Sequence, residues 1–172
     1  TNVNPIHFDN SVFDFYSALF TGATLVPFTA QWPQNPRQLV KAAGEAGCTI
    51  WFSVPSLFVY ALTLRAFEPQ DLASLRIIIF GGEGFPKRQL KKLFDLYGQR
   101  ITFENVYGPT ECTCICSAYR VSPHDFDTLD ALLPLGHLAE NFGFHIIDEA
   151  GRAAAEGETG ELCLTGPNVG GG

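Results

Sequence analysis

The sequence predicts an α/β fold in which a mostly parallel sheet is flanked by helices and followed by a β-rich segment. Two observations carry this expectation. Short apolar runs alternate with stretches of helical apolar spacing, the pattern of strand–helix–strand crossovers in a parallel sheet. Beyond about residue 120 the helical spacing disappears and strand-like runs remain. Residues 1–119 are therefore assigned to an α/β unit and residues 120–172 to a β-rich part of an incomplete barrel-like unit.

Asp9 and Ser11 offer caps to a first helix, in which Val12, Phe15, Tyr16 and Leu19 recur at i, i+3, i+4 and i+7 and mark the face expected to be buried. Gly22 ends it. Residues 23–28 form an apolar run suited to a buried strand. Asn35-Pro36 supplies a cap and a first-turn proline for a second helix, which closes at Gly44 and Gly47. Residues 48–52 read as a strand, 53–67 as a third helix and 75–80 as an isoleucine-rich strand. After Gly81-Gly82-Glu83-Gly84, Pro86 opens a fourth helix with Leu90, Leu93, Phe94 and Tyr97 inside and Lys87, Arg88, Lys91 and Lys92 largely outside. Further strands are expected at 101–105, 113–121, 142–148 and 160–165, with Glu149-Ala150-Gly151-Arg152 as a hairpin turn.

The 172 residues, 46% of them hydrophobic, suffice for the core of one domain. No apolar stretch approaches the roughly 20 residues that a bilayer span requires, and residues 1–4 lack the basic and apolar parts of a secretion signal. A cytoplasmic protein with no membrane contact is expected. Eleven Lys plus Arg against 18 Asp plus Glu give a net charge of -7, which argues against a broad basic surface for nucleic acid. A small anion held by backbone amides is compatible with that charge. Cys112, Cys114 and Cys116 have CxCxC spacing, which places them on one face of a strand; zinc sites use wider spacing with histidines, so reduced thiols are expected there.

Two junctions at strand ends, where ligands of parallel sheets gather, carry candidate chemistry. In Gly81-Gly82-Glu83-Gly84 the missing side chains let the backbone approach a ligand, although an ordinary strand-to-helix turn uses the same residues. Residues 105–111, Asn-Val-Tyr-Gly-Pro-Thr-Glu, gather an amide, an aromatic ring, a hydroxyl and a carboxylate. An amide pairs with an adenine edge, a ring stacks on it, a hydroxyl donates to a phosphate and a carboxylate holds magnesium. The alternative is a tight Gly-Pro turn whose polar groups cap its own backbone.

The string NVYGPTE, preceded by IIIFGGEGFP and by FDNSVFDFYSALFTGATLV, resembles the amino-acid adenylation domains of nonribosomal peptide synthetases, in the superfamily with acyl-CoA synthetases and luciferases. Order and spacing agree, and PLGHLAENFGFHIIDEAGRAAAEGETGELCLTGPNVGGG is similar to the family's next segment. The resemblance implies a flavodoxin-like α/β subdomain that binds ATP. Gly81, Gly82 and Glu83 would line the purine through their backbone, Asn105 would meet its amino group and Tyr107 would stack on it. Thr110 would contact the α-phosphate, and Glu111 would help coordinate Mg2+.

By the same resemblance, Asp9 matches the acid that pairs with a substrate's α-ammonium group; a helix cap is the other use of a carboxylate there. Acyl- and aryl-CoA ligases generally lack this acid. Asn10, Phe13, Phe52, Ile79, Gly81, Val106, Cys114 and Ile115 fall on pocket positions, a set without charge. Gly81 is expected to leave room and Phe13 and Phe52 to restrict it, which points to a branched aliphatic amino acid such as valine or isoleucine. The implied reaction forms aminoacyl-AMP and pyrophosphate, after which the aminoacyl group passes to the phosphopantetheine of a peptidyl carrier protein. An acyl- or aryl-CoA ligase and a non-catalytic α/β scaffold are the competing readings.

The family's phosphate loop, ribose-binding aspartate and C-terminal lysine have no counterpart in these residues, and the sequence ends directly after a predicted strand. The chain is expected to be a fragment that depends on the remaining parts of an adenylation domain. Loss of a single charge-stabilising donor costs about a hundredfold. The isolated chain is therefore expected to give no amino-acid-dependent exchange of pyrophosphate into ATP above an Asp9→Ala control, and measurable exchange would overturn this.

Overall fold

The computed structural model describes residues 1–29 and 31–171; Ala30 and Gly172 lie outside the described residues. After α1 (Asn10–Thr21), helix and strand alternate: α2 (Pro36–Glu45), β1 (Ile50–Ser53), α3 (Pro55–Thr63), β2 (Ile77–Gly81), α4 (Lys87–Tyr97) and β3 (Thr102–Tyr107). β1, β2 and β3 pair in parallel in that order. β4 (Ser117–Arg120) and β5 (His137–Leu138) then extend the sheet antiparallel, and β6 (Gly143–Ile147) pairs with β7 (Glu161–Thr165) in a separate two-stranded sheet. The first sheet thus continues to Leu138, past the expected change near residue 120.

Alternation along the strands divides the apolar residues between two faces. Trp51, Ile78, Phe80 and Phe103 join Leu39, Val40 and Ala43 of α2, Phe58 and Ala61 of α3, and Leu90, Leu93 and Tyr97 of α4 in one buried cluster. The helices α3 and α4 lie on the same face because sequential parallel strands joined by crossovers of constant hand require it. Phe52 and Val106 point the other way and pack with Cys114, Val12, Phe13, Ile79 and Ile115. The face toward α1 is the smaller of the two.

Several expectations are corrected. In α1 the buried residues are Ser11, Asp14 and Ala18, whereas Tyr16 and Leu19 are exposed together with Phe20. Polar anchoring outweighs the apolar stripe: Asp14 Oδ2 accepts from Asn2 Nδ2 at 3.1 Å and from Asn4 Nδ2 at 3.0 Å, and Asn4 Nδ2 also donates to the Phe52 carbonyl at 3.0 Å. Residues 23–28 form no strand; they make one bridge, Asn2 with Pro27, and Pro27 has no N–H to continue a ladder. Lys87 is buried at the start of α4.

The strand expected at 113–121 shortens to β4. Thr113 and Cys114 take left-handed φ values of 62° and 77°, which no strand allows, so the three cysteines do not share a strand face. Cys112 lies in a 3₁₀ turn (Thr110–Cys112), Cys114 in the left-handed pair and Cys116 just ahead of β4; all three are buried and unbonded to one another. Among the described residues no group of three His, Cys, Asp or Glu side chains could hold a metal ion, and no helix is long and apolar enough to cross a membrane.

Burial raises the Asp14 carboxyl from its ordinary 3.8 to about 6, against the lowering effect of its amide donors. The folded state therefore binds the proton more readily than the unfolded one. Stability tied to this group is full at low pH and is lost as pH rises through about 6, a change of about 3 kcal/mol. Asp14→Asn is expected to flatten that fall when urea unfolding is compared at pH 4 and pH 7.

Candidate functional site

β3 continues through Tyr107, so Asn105, Val106 and Tyr107 are strand residues and not part of the following loop. Two-residue periodicity then sorts them: Asn105 and Tyr107 point to one side, and Val106 joins Phe52 and Cys114 on the other. At the same sheet end Gly82 takes φ +91°, a conformation that L side chains rarely adopt. A Cβ at Gly81 would overlap the Val106 carbonyl and come within 2.7 Å of Val106 Cγ2. The glycine thus serves the close approach of β2 and β3, and Val106 fills the room that Gly81 was expected to leave for a substrate.

These junctions meet in a cavity of about 350 Å³ lined by Gly82, Glu83, Gly84, Phe85, Asn105, Tyr107 and Gly108, with Leu132, Leu133 and Leu135 closing it. Asn105 is buried, and its Nδ2 donates to the Pro134 carbonyl at 2.8 Å, which leaves Oδ1 as an acceptor. Tyr107 is partly exposed, and burial is the main cause that raises its hydroxyl pKa. The Glu83 carboxylate is engaged by α3: Oε1 accepts the Ser56 N–H at 2.7 Å and satisfies a free donor in that helix's first turn.

An adjoining cavity of about 500 Å³ shares Gly82, Gly108 and Pro109 and is lined also by Asn4, Phe8, Asp9, Asn10, Ser53, Leu57 and Thr110. Asp9 stands at the N-cap of α1 but makes no side-chain capping bond. Its Oδ2 is buried without a hydrogen-bond partner among the described residues. Asn10 Nδ2 lies 3.8 Å from the position a Cβ on Gly82 would take, so the start of α1 and the glycine turn face each other. Thr110 is exposed at the rim. Glu111 is exposed beyond it and makes no ion pair among the described residues, and its carbonyl accepts the Gly170 N–H at 2.7 Å.

The pocket residues divide. Phe13 and Phe52 pack edge to face at 5.1 Å in the small cluster with Ile79, Val106, Cys114 and Ile115. Phe13 and Phe52 also line a separate cavity with Asp14 and Ser17, while Ile79, Cys114 and Ile115 fill the cluster itself. Burial, reinforced by the nearby charge of Asp9, pushes the Cys114 thiol up to about 11, so it stays protonated and acts as an apolar wall beside that carboxylate. Sequence reasoning missed Leu132, Leu133 and Leu135, because the run at 131–135 follows neither helical nor strand period.

The whole chain, residues 1–172, matches the AMP-binding enzyme family. The chain belongs to that family. Within it, the chain is 32% identical over 168 residues to the D-alanine–D-alanyl carrier protein ligase of Bacillus cytotoxicus, covering 98% of this chain and 33% of the relative. It is 37% identical over 163 residues to the L-proline–[L-prolyl-carrier protein] ligase of Streptomyces coelicolor, covering 93% and 30%. Among solved structures, IdnL7 superposes with a TM-score of 0.83 at 30% identity, over 97% of this chain and 33% of its own. PA1221, a nonribosomal peptide synthetase protein with adenylation and carrier domains, superposes at 0.78 and 28% identity, over 99% and 33%. The chain spans about a third of the length of the curated relatives it matches.

The AMP-binding family chain thus presents two adjoining cavities at one sheet end, one walled by an amide and a phenol ring, the other by a carboxylate. Glu83 ties this glycine turn to α3 independently of any ligand. Glu83→Ala is expected to lower stability by about 1 kcal/mol in urea unfolding, the usual cost of a lost helix cap; an unchanged midpoint would show that the bond carries no weight.

Proposed function

We propose that the chain is the substrate-pocket part of a ligase that activates an amino acid as aminoacyl-AMP and loads it onto a carrier protein. The single observation that carries this reading is Asp9: a buried carboxylate oxygen without a partner, at a helix start it does not cap, beside a cavity that adjoins the amide-and-phenol site. A buried unpaired acceptor costs free energy unless a donor reaches it, and an α-ammonium group supplies charge and three N–H donors.

In this reading the purine occupies the cavity of Asn105 and Tyr107, with its amino group on Asn105 Oδ1 and the backbone of Gly81, Gly82 and Glu83 alongside. Gly82, Gly108 and Pro109, common to both cavities, mark the passage from nucleotide to amino acid. Asp9 orients the amino acid so that its carboxylate reaches the α-phosphate near Thr110. A carboxylate oxygen attacks that phosphorus, the bond to the bridging oxygen breaks, and pyrophosphate leaves. Glu111, exposed and without an ion pair among the described residues, suits a single carboxylate contact to Mg2+, which when bound would offset charge on the phosphate oxygens. The thiol of a phosphopantetheine arm then attacks the acyl carbon and releases AMP, so none of the chain's cysteines serves as nucleophile.

The substrate side chain is proposed to be apolar and branched aliphatic, of the size of valine or isoleucine. Support comes from the uncharged cluster of Phe13, Phe52, Ile79, Val106, Cys114 and Ile115, whose Cys114 thiol feels the Asp9 charge. The amino acids named for two relatives, D-alanine and L-proline, are likewise uncharged, but neither is branched aliphatic. In the complete enzyme, Asp9→Ala is expected to raise the amino-acid KM about a hundredfold or more while the ATP KM stays within about twofold. The deaminated acid is expected to be inactive; its efficient activation by the unmodified enzyme would replace this reading by an acyl- or aryl-CoA ligase.

A further inference from the structure

Thr110 and Glu111 belong to the 3₁₀ turn that runs into Thr113 and Cys114 at φ 62° and 77°. A left-handed φ is costly for residues with a Cβ, above all for a β-branched threonine, and it persists only where the surroundings impose it. The turn's own bonds do not impose it. The Cys112 N–H meets the Pro109 carbonyl at 2.8 Å and the Thr113 N–H meets the Thr110 carbonyl at 3.1 Å, contacts that any 3₁₀ turn makes.

What imposes it is a circuit of bonds through the β-rich part. Thr113 Oγ1 donates to the Asn168 carbonyl at 3.2 Å, and Asn168 Oδ1 accepts from Asn141 Nδ2 at 3.0 Å. Gly166 stands at φ +149° against the Asn141 carbonyl, where a Cβ would overlap. From Asn141 the path returns through the turn in which the Phe142 N–H donates to the Ala139 carbonyl, and the Ala139 N–H reaches the Cys116 carbonyl at 2.8 Å. The Cys116 N–H donates in turn to the Tyr107 carbonyl at 2.8 Å, so the circuit closes on the strand end from which the turn departs. A second arm, from the Gly170 N–H to the Glu111 carbonyl at 2.7 Å, holds the backbone of Glu111 and does not use its carboxylate.

We infer that residues 166–170 form a latch that places Thr110 and Glu111, with Thr113 and Asn168 as its positioning residues. The unit that carries β6 and β7 thereby sets the geometry of the phosphate-side groups together with β3. This rests on the roles proposed above for Thr110 and Glu111. Thr113 and Asn168 line none of the cavities described, so their effect runs through the backbone of the turn.

The test uses the complete enzyme. Thr113→Val keeps the β-branched shape and removes the hydroxyl donor, whereas Thr113→Ser keeps the donor. Thr113→Val is expected to speed amide hydrogen exchange at Thr113 and Cys116 about tenfold and to leave that of Ile78, in the main core, unchanged. It is also expected to lower kcat for aminoacyl-AMP formation about fivefold and to weaken Mn2+ binding to the ATP complex, followed by electron paramagnetic resonance, by a similar factor. The amino-acid KM is expected to stay within about twofold, and Thr113→Ser to restore kcat. Asn168→Ala, which loses the bond from Asn141, is the second variant and is expected to act in the same direction. Unchanged kcat and Mn2+ affinity in both variants, or a fall in kcat accompanied by equal rises in every KM, overturns the latch. Glu111→Gln separates the two readings. If it weakens Mn2+ binding while Thr113→Val and Asn168→Ala do not, the latch falls and the role of Glu111 stands. If it leaves Mn2+ binding unchanged, the role of Glu111 falls and the latch with it.

Discussion

The close approach of β2 and β3 at Gly81 and Val106 is the constraint on which the rest of the site depends. These residues are paired in register, and only the absence of a Cβ lets the Val106 carbonyl and Cγ2 occupy the space beside the glycine. Because the strands meet there, Gly82 follows with a left-handed turn at the same level at which Asn105 and Tyr107 leave β3. A larger residue at 81 would push the strands apart at their ends, separate the two junctions, and move Val106 out of the cluster with Phe52 and Cys114. One glycine therefore holds both the amide-and-phenol cavity on one face and the apolar cluster on the other.

Alternation does the remaining sorting without further machinery. Trp51, Ile78, Phe80 and Phe103 supply the main core, and their immediate neighbours Phe52, Ile79 and Val106 supply the small cluster. Since α1 covers only the second face, its orientation sets where Asp9 and Phe13 stand. That orientation is fixed by polar bonds from Asn2 and Asn4 to Asp14, one turn beyond Asp9, and Asn4 is bonded in turn to the Phe52 carbonyl of β1. Burying Asp14 costs stability at neutral pH, so the bonds that hold α1 are more useful for placing it than for stabilising the fold.

Much of this was legible in the sequence, and the failures have physical causes. The strand–helix order, the caps at Asn35 and Gly22 and the inner face of α4 follow from local rules, because tertiary packing there agrees with periodicity. α1 was misread because its apolar stripe says nothing about the two asparagines that bond to Asp14 from outside the helix. The extended reading of residues 113–121 failed at Thr113 and Cys114, whose positive φ values run against their own propensities. That turn is held from elsewhere: Thr113 Oγ1 donates to the Asn168 carbonyl at 3.2 Å, and the Gly170 N–H reaches the Glu111 carbonyl. Contacts spanning more than fifty residues leave no local trace. Of the candidate site, the two junctions and Asp9 could be named from the sequence, whereas Leu132, Leu133 and Leu135, lacking any period, could not.

The exposed apolar residues differ in what surrounds them, and the difference decides what can be inferred from each. Tyr16, Leu19 and Phe20 lie exposed on α1, with Tyr16 and Phe20 stacked on each other at 5.3 Å, and they line none of the cavities described above. Such a face is satisfied by any apolar surface. Leu132 and Leu135 stand instead in a concave site whose Asn105 amide is held by the Pro134 carbonyl between them and which shares Gly82, Gly108 and Pro109 with the cavity of Asp9. Apolar area supplies binding free energy without direction, and a fixed acceptor supplies direction with little free energy of its own. Where one short segment provides both, apolar area and direction are set together by the same backbone.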